Sequence, residues 1–304
     1  MISVIMPCFN SASYIRDAVE SALGQTVTEV ELIIVDDGSS DESLFVLRQL
    51  EYEHGQRITV LTQNNQGPYP ARNLALAHAK GEYIAFLDAD DWWDTQCLEK
   101  LRLALESSGA DLTYCGWQNV GARISPPYLP PKYEEGDPVA AFLGGCPWPI
   151  HAALVKRSVI DKVGGFSTRY FSAMDYDLWL RILAVTQHFI QVPEVLAYYR
   201  WHDKGQISSN KSRQVNDAYS VRRDFIAAHP KFVKHISAES LRKLVDGFLY
   251  DATFTAFWQR DLLTAWRLSR KLLRTGYWKS KDLKYLLPSL LPLRLYECLL
   301  ARRG

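Results

Sequence analysis

Over its first 120 or so residues the chain alternates short β-branched or aromatic runs with segments of helical period. That alternation restricts it to a largely parallel sheet covered by helices. The runs Ser3 to Met6, Glu31 to Val35, Arg57 to Leu61, Tyr83 to Leu87 and Leu112 to Cys115 read as strands. Between the first two, Ile15, Val19 and Ala22 share one face of a helix from Tyr14 to Leu23, with Gly24 as its stop. Ser39 and Glu42 have capping-box spacing ahead of Leu44, Leu47 and Leu50; Gly55 closes that helix, and Gly81 closes the one containing Ala71 to Lys80. Residues 121–138 hold five of the fourteen prolines, so this stretch is a long loop rather than a helix or a sheet interior. Mixed structure returns over 150–201, with a helix from Asp175 to Val185 and a strand from Val195 to Trp201, and from about Lys211 the pattern is almost wholly helical.

The 304 residues, 47% hydrophobic and 23% charged, suffice for a full core and for two domains, and exclude intrinsic disorder. A net charge of +1 conceals an asymmetry: residues 1–209 carry 16 Lys+Arg against 26 Asp+Glu (net −10), and residues 210–304 carry 19 against 8 (net +11). The two parts therefore have different electrostatic roles. Five cysteines, at 8, 97, 115, 146 and 298, are odd in number and lack CxxC or His/Cys ligand spacing, which argues against a disulfide framework or structural zinc and fits a reducing compartment. The start MISVIMPCFN has no basic leader, and no apolar run reaches the roughly 18 residues of a membrane span.

The strand Tyr83 to Leu87 runs into Asp88-Ala89-Asp90-Asp91, three carboxylates within four positions. In an extended segment alternate side chains share a face, so Asp88 and Asp90 converge while Ala89 points away. Two such carboxylates suit Mg²⁺ or Mn²⁺, which take oxygen ligands and complete their shell with phosphate oxygens. Open α/β sheets bind ligands beyond the carboxyl ends of their strands, which is where these acids lie. Acidic residues also simply end strands or cap helices, and Asp94 reads as a cap for the helix through Leu98 and Leu101. A second pair, Asp36-Asp37, ends another strand and could accept from a base N–H or a ribose hydroxyl; a turn-forming Asp-Gly with Ser39 as cap is the plainer alternative.

Taken in order, VIMPCFN (4–10), SALGQT (21–26), ELIIVDDGSSD (31–41), QGPYPARNLAL (66–76), GEYIAFLDADD (81–91), VGGF (163–166), DYDLWLR (175–181) and YRWH with a later Ile-Ser (199–208) resemble family 2 of the glycosyltransferases. The resemblance implies an α/β fold of the GT-A type, the nucleotide-diphospho-sugar transferase sheet flanked by helices, followed by a helical C-terminal region. It implies a catalytic domain over 1–209, its nucleotide-sugar part at about 1–120 and its acceptor part at about 139–209, and a basic helical region over 210–304. By similarity, Pro7, Phe9 and Asn10 line the nucleobase pocket, Asp37 accepts from the base, and Arg72 shapes the nucleotide side. Asp88 would hold the ribose or a metal-bound water, Asp90 would ligate a Mn²⁺ or Mg²⁺ cofactor, and Asp91 would support it. Asp175 falls at the general base, and His202 at a histidine near the diphosphate or metal.

These roles agree with the chemistry. A departing nucleoside diphosphate needs charge stabilisation, which a divalent cation gives without moving protons, and the acceptor hydroxyl needs a base within hydrogen-bond reach. One base with in-line attack implies inversion, from an α-linked donor to a β-linked product. Two departures from the family pattern stand out. Met174 occupies a position where many relatives carry Glu, which leaves acceptor recognition open, and Pro68-Tyr69-Pro70 precedes Ala71-Arg72-Asn73 where small residues are usual, which stiffens the donor loop. Trp148, between two prolines, either stacks on an acceptor sugar or packs in its loop; Trp92 and Trp93 either wall the site or anchor it.

The final stretch, Leu283 to Leu300, mixes leucines with Pro288 and Pro292 among Lys284, Arg294, Arg302 and Arg303, too broken to span a membrane but suited to lie on an anionic one. Packing against the catalytic part is the competing reading; nucleic acid is not expected as a partner, because no nucleic-acid motif accompanies the charge. The expected function is inverting transfer from a nucleoside-diphosphate sugar, taken as UDP-linked, to a hydroxyl of a glycan or lipid-linked saccharide acceptor. Its expected setting is bacterial surface-polysaccharide assembly, in the cytoplasm at the inner face of the cell membrane. A non-catalytic nucleotide-sugar-binding or scaffold protein is the alternative, and a DxD phosphohydrolase a further one, which would place that motif at the first strand. Pro-Cys-Phe-Asn after the first strand, in place of a glycine-rich loop, disfavours nucleotidyl transfer and dinucleotide oxidoreduction.

Overall fold

The computed structural model describes residues 1–122, 124–202 and 210–301. Ile207 and Ser208 of the last matched segment, together with Arg302 and Arg303, lie outside the described residues. The chain divides into two compact units, one of Met1–Ala141 with Cys146–Gln206, the other of Phe142–Gly145 with Ile207–Gly304.

The first unit is built on an eight-stranded sheet: β1 (Ile2–Cys8), β2 (Val30–Asp36), β3 (Ile58–Thr62), β4 (Tyr83–Phe86), β5 (Trp92–Trp93), β6 (Leu112–Gly121), β7 (Ala153–Lys156) and β8 (Phe189–Trp201), in the order β3-β2-β1-β4-β7-β6-β8-β5. Strands β3, β2, β1 and β4 are parallel, with Ile5 beside both Ile33 and Phe86. They are apolar almost throughout, as strands covered on both faces must be. Strand β7 runs antiparallel to β4 and to β6, and β8 runs parallel to β6, so β6 and β8 again point the same way as β1 to β4. Six strands therefore release their C-terminal residues at one edge, and that edge positions the site.

Among the described residues six helices lie wholly in this unit, α1 (Ile15–Leu23), α2 (Ser43–His54), α3 (Pro68–His78), α4 (Cys97–Ser108), α6 (Arg157–Val163) and α7 (Met174–Val185), and α5 (Pro138–Gly144) begins in it. Helix α1 buries Ile15, Ala18, Val19, Ala22 and Leu23, the stripe its spacing predicts. Two expectations need correction. Ser39 does not cap α2, which starts at Ser43 with no side-chain cap; the Ser39 hydroxyl instead accepts from the Asn10 N–H at 3.0 Å. Pro68-Tyr69-Pro70 is not a stiffened loop but the first turn of α3, where the missing proline N–H groups have no helical partner to lose. Asp94 does organise the start of α4, accepting from the Gln96 N–H at 2.9 Å, although it sits ahead of the cap position. Among its described residues the Pro-rich stretch is a loop, apart from one short helical turn at Tyr133–Glu135, and is pinned where Tyr114 donates to Glu134 at 2.6 Å and Glu134 accepts from the Gln191 N–H at 3.0 Å.

The second unit is helical: α8 (Lys211–Ala228), α9 (Ala238–Arg242), α10 (Phe248–Trp258), α11 (Leu262–Thr275), α12 (Leu283–Leu286) and α13 (Leu293–Ala301), with a wide turn at Lys243–Gly247 and a tight one at Leu287–Leu290. Two apolar clusters hold it, one around Tyr219, Leu249, Leu268 and Leu272, the other around Phe257, Ala265, Tyr296 and Leu300. No helix among the described residues is long and apolar enough to cross a membrane.

Candidate active site

Pro7 and Cys8 end β1 beside Val35 and Asp36, so the loops after β1 and β2 leave the sheet side by side. Asn10 ties them together. Its backbone is left-handed (φ 50°), its Oδ1 accepts from the Ser40 N–H at 2.8 Å, and beside it Phe9 is 47% exposed. Asp37 is buried, with Oδ1 accepting from Gln63 Nε2 at 2.7 Å and the Gln66 N–H at 2.9 Å, and Oδ2 accepting from the Gly67 N–H at 2.8 Å. It therefore fixes the loop after β3 against the loop after β2. Gly67 is required at the end of that loop: its φ is 94°, and a Cβ there would lie 3.1 Å from the Phe171 ring. Asp36 is also buried; its Oδ2 accepts from the Ser39 N–H at 3.2 Å, while Oδ1 has no partner.

The acidic turn after β4 lies next to these loops, because β4 pairs with β1. Its three carboxylates point to three different partners. Asp88 pairs with Nη2 of Arg72, Asp90 lies 2.7 Å from Nε2 of His202, and Asp91 lies 3.1 Å from Nδ1 of His151. Asp91 and His151 are both fully enclosed, at 1% and 0% exposure. No sequence signal points to His151, which follows the Cys146-Pro147-Trp148-Pro149 stretch without a motif of its own. Asp91 Oδ1 also accepts from the Arg200 N–H at 2.8 Å, which locks the end of β8 to the acidic turn and so delivers His202 to Asp90.

Electrostatically the turn is short of positive charge. Burial first, then the charges of Asp91 and Asp88, push the Asp90 carboxyl up to about 7, against which His202 pulls down. Burial likewise raises Asp91 despite its imidazole partner. Burial lowers His151, but Asp91, with Asp88 and Asp90 behind it, more than reverses that and holds the imidazole above its ordinary range. Crowded carboxylate oxygens of this kind are donors that suit Mg²⁺ or Mn²⁺. Among the described residues no three His, Cys, Asp or Glu side chains converge to hold a metal by themselves.

Arg72 joins this turn to the start of α7. It is buried, with its guanidinium 5.3 Å from the centre of the Phe166 ring, Nη1 donating to Met174 Sδ at 3.0 Å, and Nε without a partner. Phe166 is held in turn by Asn73, whose side chain donates to the Phe166 carbonyl at 2.9 Å and accepts from its N–H at 2.8 Å. Arg181 of α7 donates to the carbonyls of Val163 and Gly165, each at 2.8 Å. The ARN, VGGF and DYDLWLR segments thus form one connected support. Asp175, half-buried in the first turn of α7, accepts from the Tyr176 N–H at 2.8 Å and lies 3.9 Å from Cys146 Sγ. Burial raises its carboxyl above the usual range; the Tyr176 N–H and the Arg72 charge oppose this, and the Asp88 charge adds to it. The structure brings Arg72, Asp88 and Asp175 into one electrostatic neighbourhood, although Asp88 and Asp175 are 87 positions apart in the sequence.

An aromatic ladder flanks the turn. The Arg200 guanidinium lies between the rings of Trp92 (4.5 Å) and Tyr14 (4.9 Å), Trp92 stacks on Tyr198 at 5.4 Å, and Tyr14 packs on His202 at 4.6 Å. Trp93 is an anchor, its indole donating to the His151 carbonyl at 2.7 Å. Trp148 is 1% exposed and stacks on Tyr114 at 4.2 Å, so it is a packing residue with no face open to a sugar.

Residues 3–176, more than half of the chain, match the family model described as glycosyl transferase family 2. The chain belongs to this family. It is 30% identical over 241 residues, 77% of its length and 90% of the relative's, to the UDP-Glc:alpha-D-GlcNAc-diphosphoundecaprenol beta-1,3-glucosyltransferase WfaP of Escherichia coli. It is 31% identical over 234 residues, 75% of its length and 90% of the relative's, to the putative teichuronic acid biosynthesis glycosyltransferase TuaG of Bacillus subtilis. Against the chondroitin synthase of Pasteurella multocida, 31% identical over 189 residues, the chain spans 19% of that protein's length. Among solved structures, S. aureus TarS 1-349 in complex with UDP-GlcNAc superposes with a TM-score of 0.66 at 18% identity, over 95% of this chain and 90% of that one. The mannosyltransferase PcManGT of Pyrobaculum calidifontis, in complex with GDP-Man and Mn²⁺, gives 0.59 at 18%, over 95% and 85%. This family 2 chain is a glycosyltransferase with the GT-A fold and a helical C-terminal region, and it has relatives in bacterial polysaccharide biosynthesis.

Proposed function

We propose that the chain is an inverting, metal-dependent transferase that moves a sugar from a UDP-sugar to a hydroxyl of a glycan or lipid-linked saccharide in bacterial surface-polysaccharide assembly. The observation that carries this reading is Arg72, which pairs with Asp88 of the acidic turn and donates to Met174, the residue before Asp175, so that one buried guanidinium links the two carboxylate-bearing segments. The relatives support the direction: one is named for UDP-Glc and a diphosphoundecaprenol-linked acceptor, and one structural neighbour holds UDP-GlcNAc.

In this reading Pro7, Phe9 and Asn10 receive the nucleobase, with Asp37 beside them and Asp88 toward the ribose. Asp90 and His202 hold Mg²⁺ or Mn²⁺, which when bound supplies positive charge to the departing diphosphate. Asp175 takes the proton of the acceptor hydroxyl. Its raised pKa strengthens it as a base, and its place in the first turn of α7 keeps an anionic form favourable enough to work near neutral pH. Met174, in place of a second carboxylate, makes this a single-base site and gives Arg72 a neutral sulfur partner, which leaves its charge directed to Asp88 and Asp175. A lipid-linked acceptor would be met at the inner face of the cell membrane, and the basic second unit supplies charge of the right sign for that contact.

A thermal-shift screen of nucleotide sugars with and without Mn²⁺ tests the donor, and NMR of the product anomer tests the chemistry. A Mn²⁺-dependent shift with one UDP-sugar and a β-linked product from its α-linked donor are expected. Metal-independent binding, or an α-linked product, would overturn the reading.

A further inference from the structure

The second unit leaves more apolar surface than its own core uses. Along α12, the turn after it and α13, the inward positions are Leu286, Ser289, Tyr296 and Leu300, of which Leu286, Tyr296 and Leu300 belong to the internal clusters. The alternate positions face outward: Leu287 is 48% exposed, Leu290 59%, Leu291 38% and Leu295 55%. Two prolines enforce the pattern. Pro288 opens the tight turn, and the carbonyl of Pro292 accepts from the Leu295 and Tyr296 N–H groups as α13 begins, so the four exposed leucines form a ridge that is continuous in sequence over the turn, its exit and α13.

Aromatic residues adjoin the ridge. Trp266 donates its indole N–H to the Leu291 carbonyl at 2.9 Å, and Trp258, 64% exposed, packs against Tyr285 at 5.5 Å. Cations sit on these rings: Arg270 lies 4.7 Å from the Trp266 ring centre and Lys284 4.8 Å from that of Tyr285. On α11 the outward stripe is Leu263, Arg267, Arg270 and Arg274. Residues 258–304 hold 11 Lys+Arg and 3 Asp+Glu, net +8. Two of the three acids are turned inward to structural work, Asp261 capping α11 and Asp282 accepting from the Lys279 N–H at 2.8 Å.

We infer that this leucine ridge is a docking surface for an anionic lipid bilayer, into whose interfacial layer Leu287, Leu290, Leu291 and Leu295 insert while Lys284, Arg267, Arg270 and Arg294 meet headgroup phosphates. The apolar component decides the partner. A nucleic acid would reward the cations but not four outward leucines, whereas the interface of a bilayer rewards both, and Trp and Tyr rings favour that depth. This deepens the membrane contact proposed above, on which it rests, and it is tested without donor or acceptor, so its failure leaves the transfer chemistry standing.

The experiment is co-sedimentation of the full chain with phosphatidylcholine vesicles, with and without phosphatidylglycerol, at low and high salt. Binding that requires phosphatidylglycerol and weakens with salt is expected. Leu290→Ser with Leu295→Ser should reduce partitioning at least about tenfold by removing inserted apolar area, and Lys284→Glu with Arg294→Glu should reduce it by a similar factor through lost attraction. All four side chains are exposed, so the variants should keep the parental melting temperature, which is measured alongside. Light scattering tests a second copy of the chain as the occupant. Absence of vesicle binding, unchanged binding of the leucine variant, or a stable dimer that the leucine variant dissolves would each overturn the inference.

Discussion

His151→Gln is the sharpest test of how the acidic turn is held. In the native protein the His151 ring lies 3.1 Å from Asp91, with both side chains almost fully enclosed, and Asp91 also receives the Arg200 N–H that fixes the end of β8. Removing one partner of such a pair leaves a buried carboxylate whose remaining hydrogen bond does not repay its desolvation. The loss is about 3–5 kcal/mol. For a catalytic unit of this size that corresponds to a melting temperature lower by about 10 °C. Because burial already holds the Asp91 carboxyl above its ordinary range, the variant can relieve the charge by taking up a proton. A raised native pKa stabilises below the unfolded value and is lost as pH rises, so the stability of the variant itself should fall between pH 5 and pH 8. Adding Asp91→Asn removes the orphaned charge and should recover at least about 2 kcal/mol. Thermal and urea melts of the two single variants and the double variant, read by circular dichroism, measure this directly. A His151→Gln variant within about 0.5 kcal/mol of the parent, or a double variant less stable than His151→Gln alone, would refute the reasoning.

Other consequences concern the site itself. Burial raises the Asp175 carboxyl and the Arg72 charge lowers it, so the transfer rate should fall on the acid side of a pKa above the usual aspartate range, and Arg72→Met should move that limb to higher pH; a limb at the same pH in both proteins would separate the two residues. Tyr14 packs on His202 through its ring alone, so Tyr14→Ala should weaken Mn²⁺-dependent nucleotide binding roughly 2- to 10-fold while Tyr14→Phe leaves it unchanged, as titration calorimetry would show.

The parallel half of the fold was legible because each strand there carries its own signal: an apolar run bounded by Gly, Asp or a helix start. Strand β7 and helix α6 were not resolved beyond mixed structure, since a four-residue strand leading directly into a seven-residue helix leaves no clear period. The two-residue β5 is a strand only because Trp92 and Trp93 pair with Tyr198 and Ala197, a tertiary fact with no local cause. The Ser39–Glu42 capping pattern misled because Ser39 has a stronger use at the junction of two loops. Residues in motifs could be named from order and spacing, and in the structure Arg72 links two of those motifs, pairing with Asp88 and donating to Met174 next to Asp175. His151 escaped because a single histidine in a Pro-rich turn has no periodic or motif context, and its meaning comes entirely from the carboxylate it faces. Met174 was visible as a departure, but its contact with Arg72 required coordinates.

The central claim is that one site holds the donor through Asp90 and a cation, and activates the acceptor through Asp175. Donor titration and acceptor transfer measured together on Asp175→Asn, in the presence of Mn²⁺, test it most directly. The account predicts a nucleotide-sugar affinity within about threefold of the parent and a transfer rate lower by at least about 100-fold. Transfer at the parental rate, or donor affinity lost in step with transfer in a variant that still melts like the parent, would contradict it.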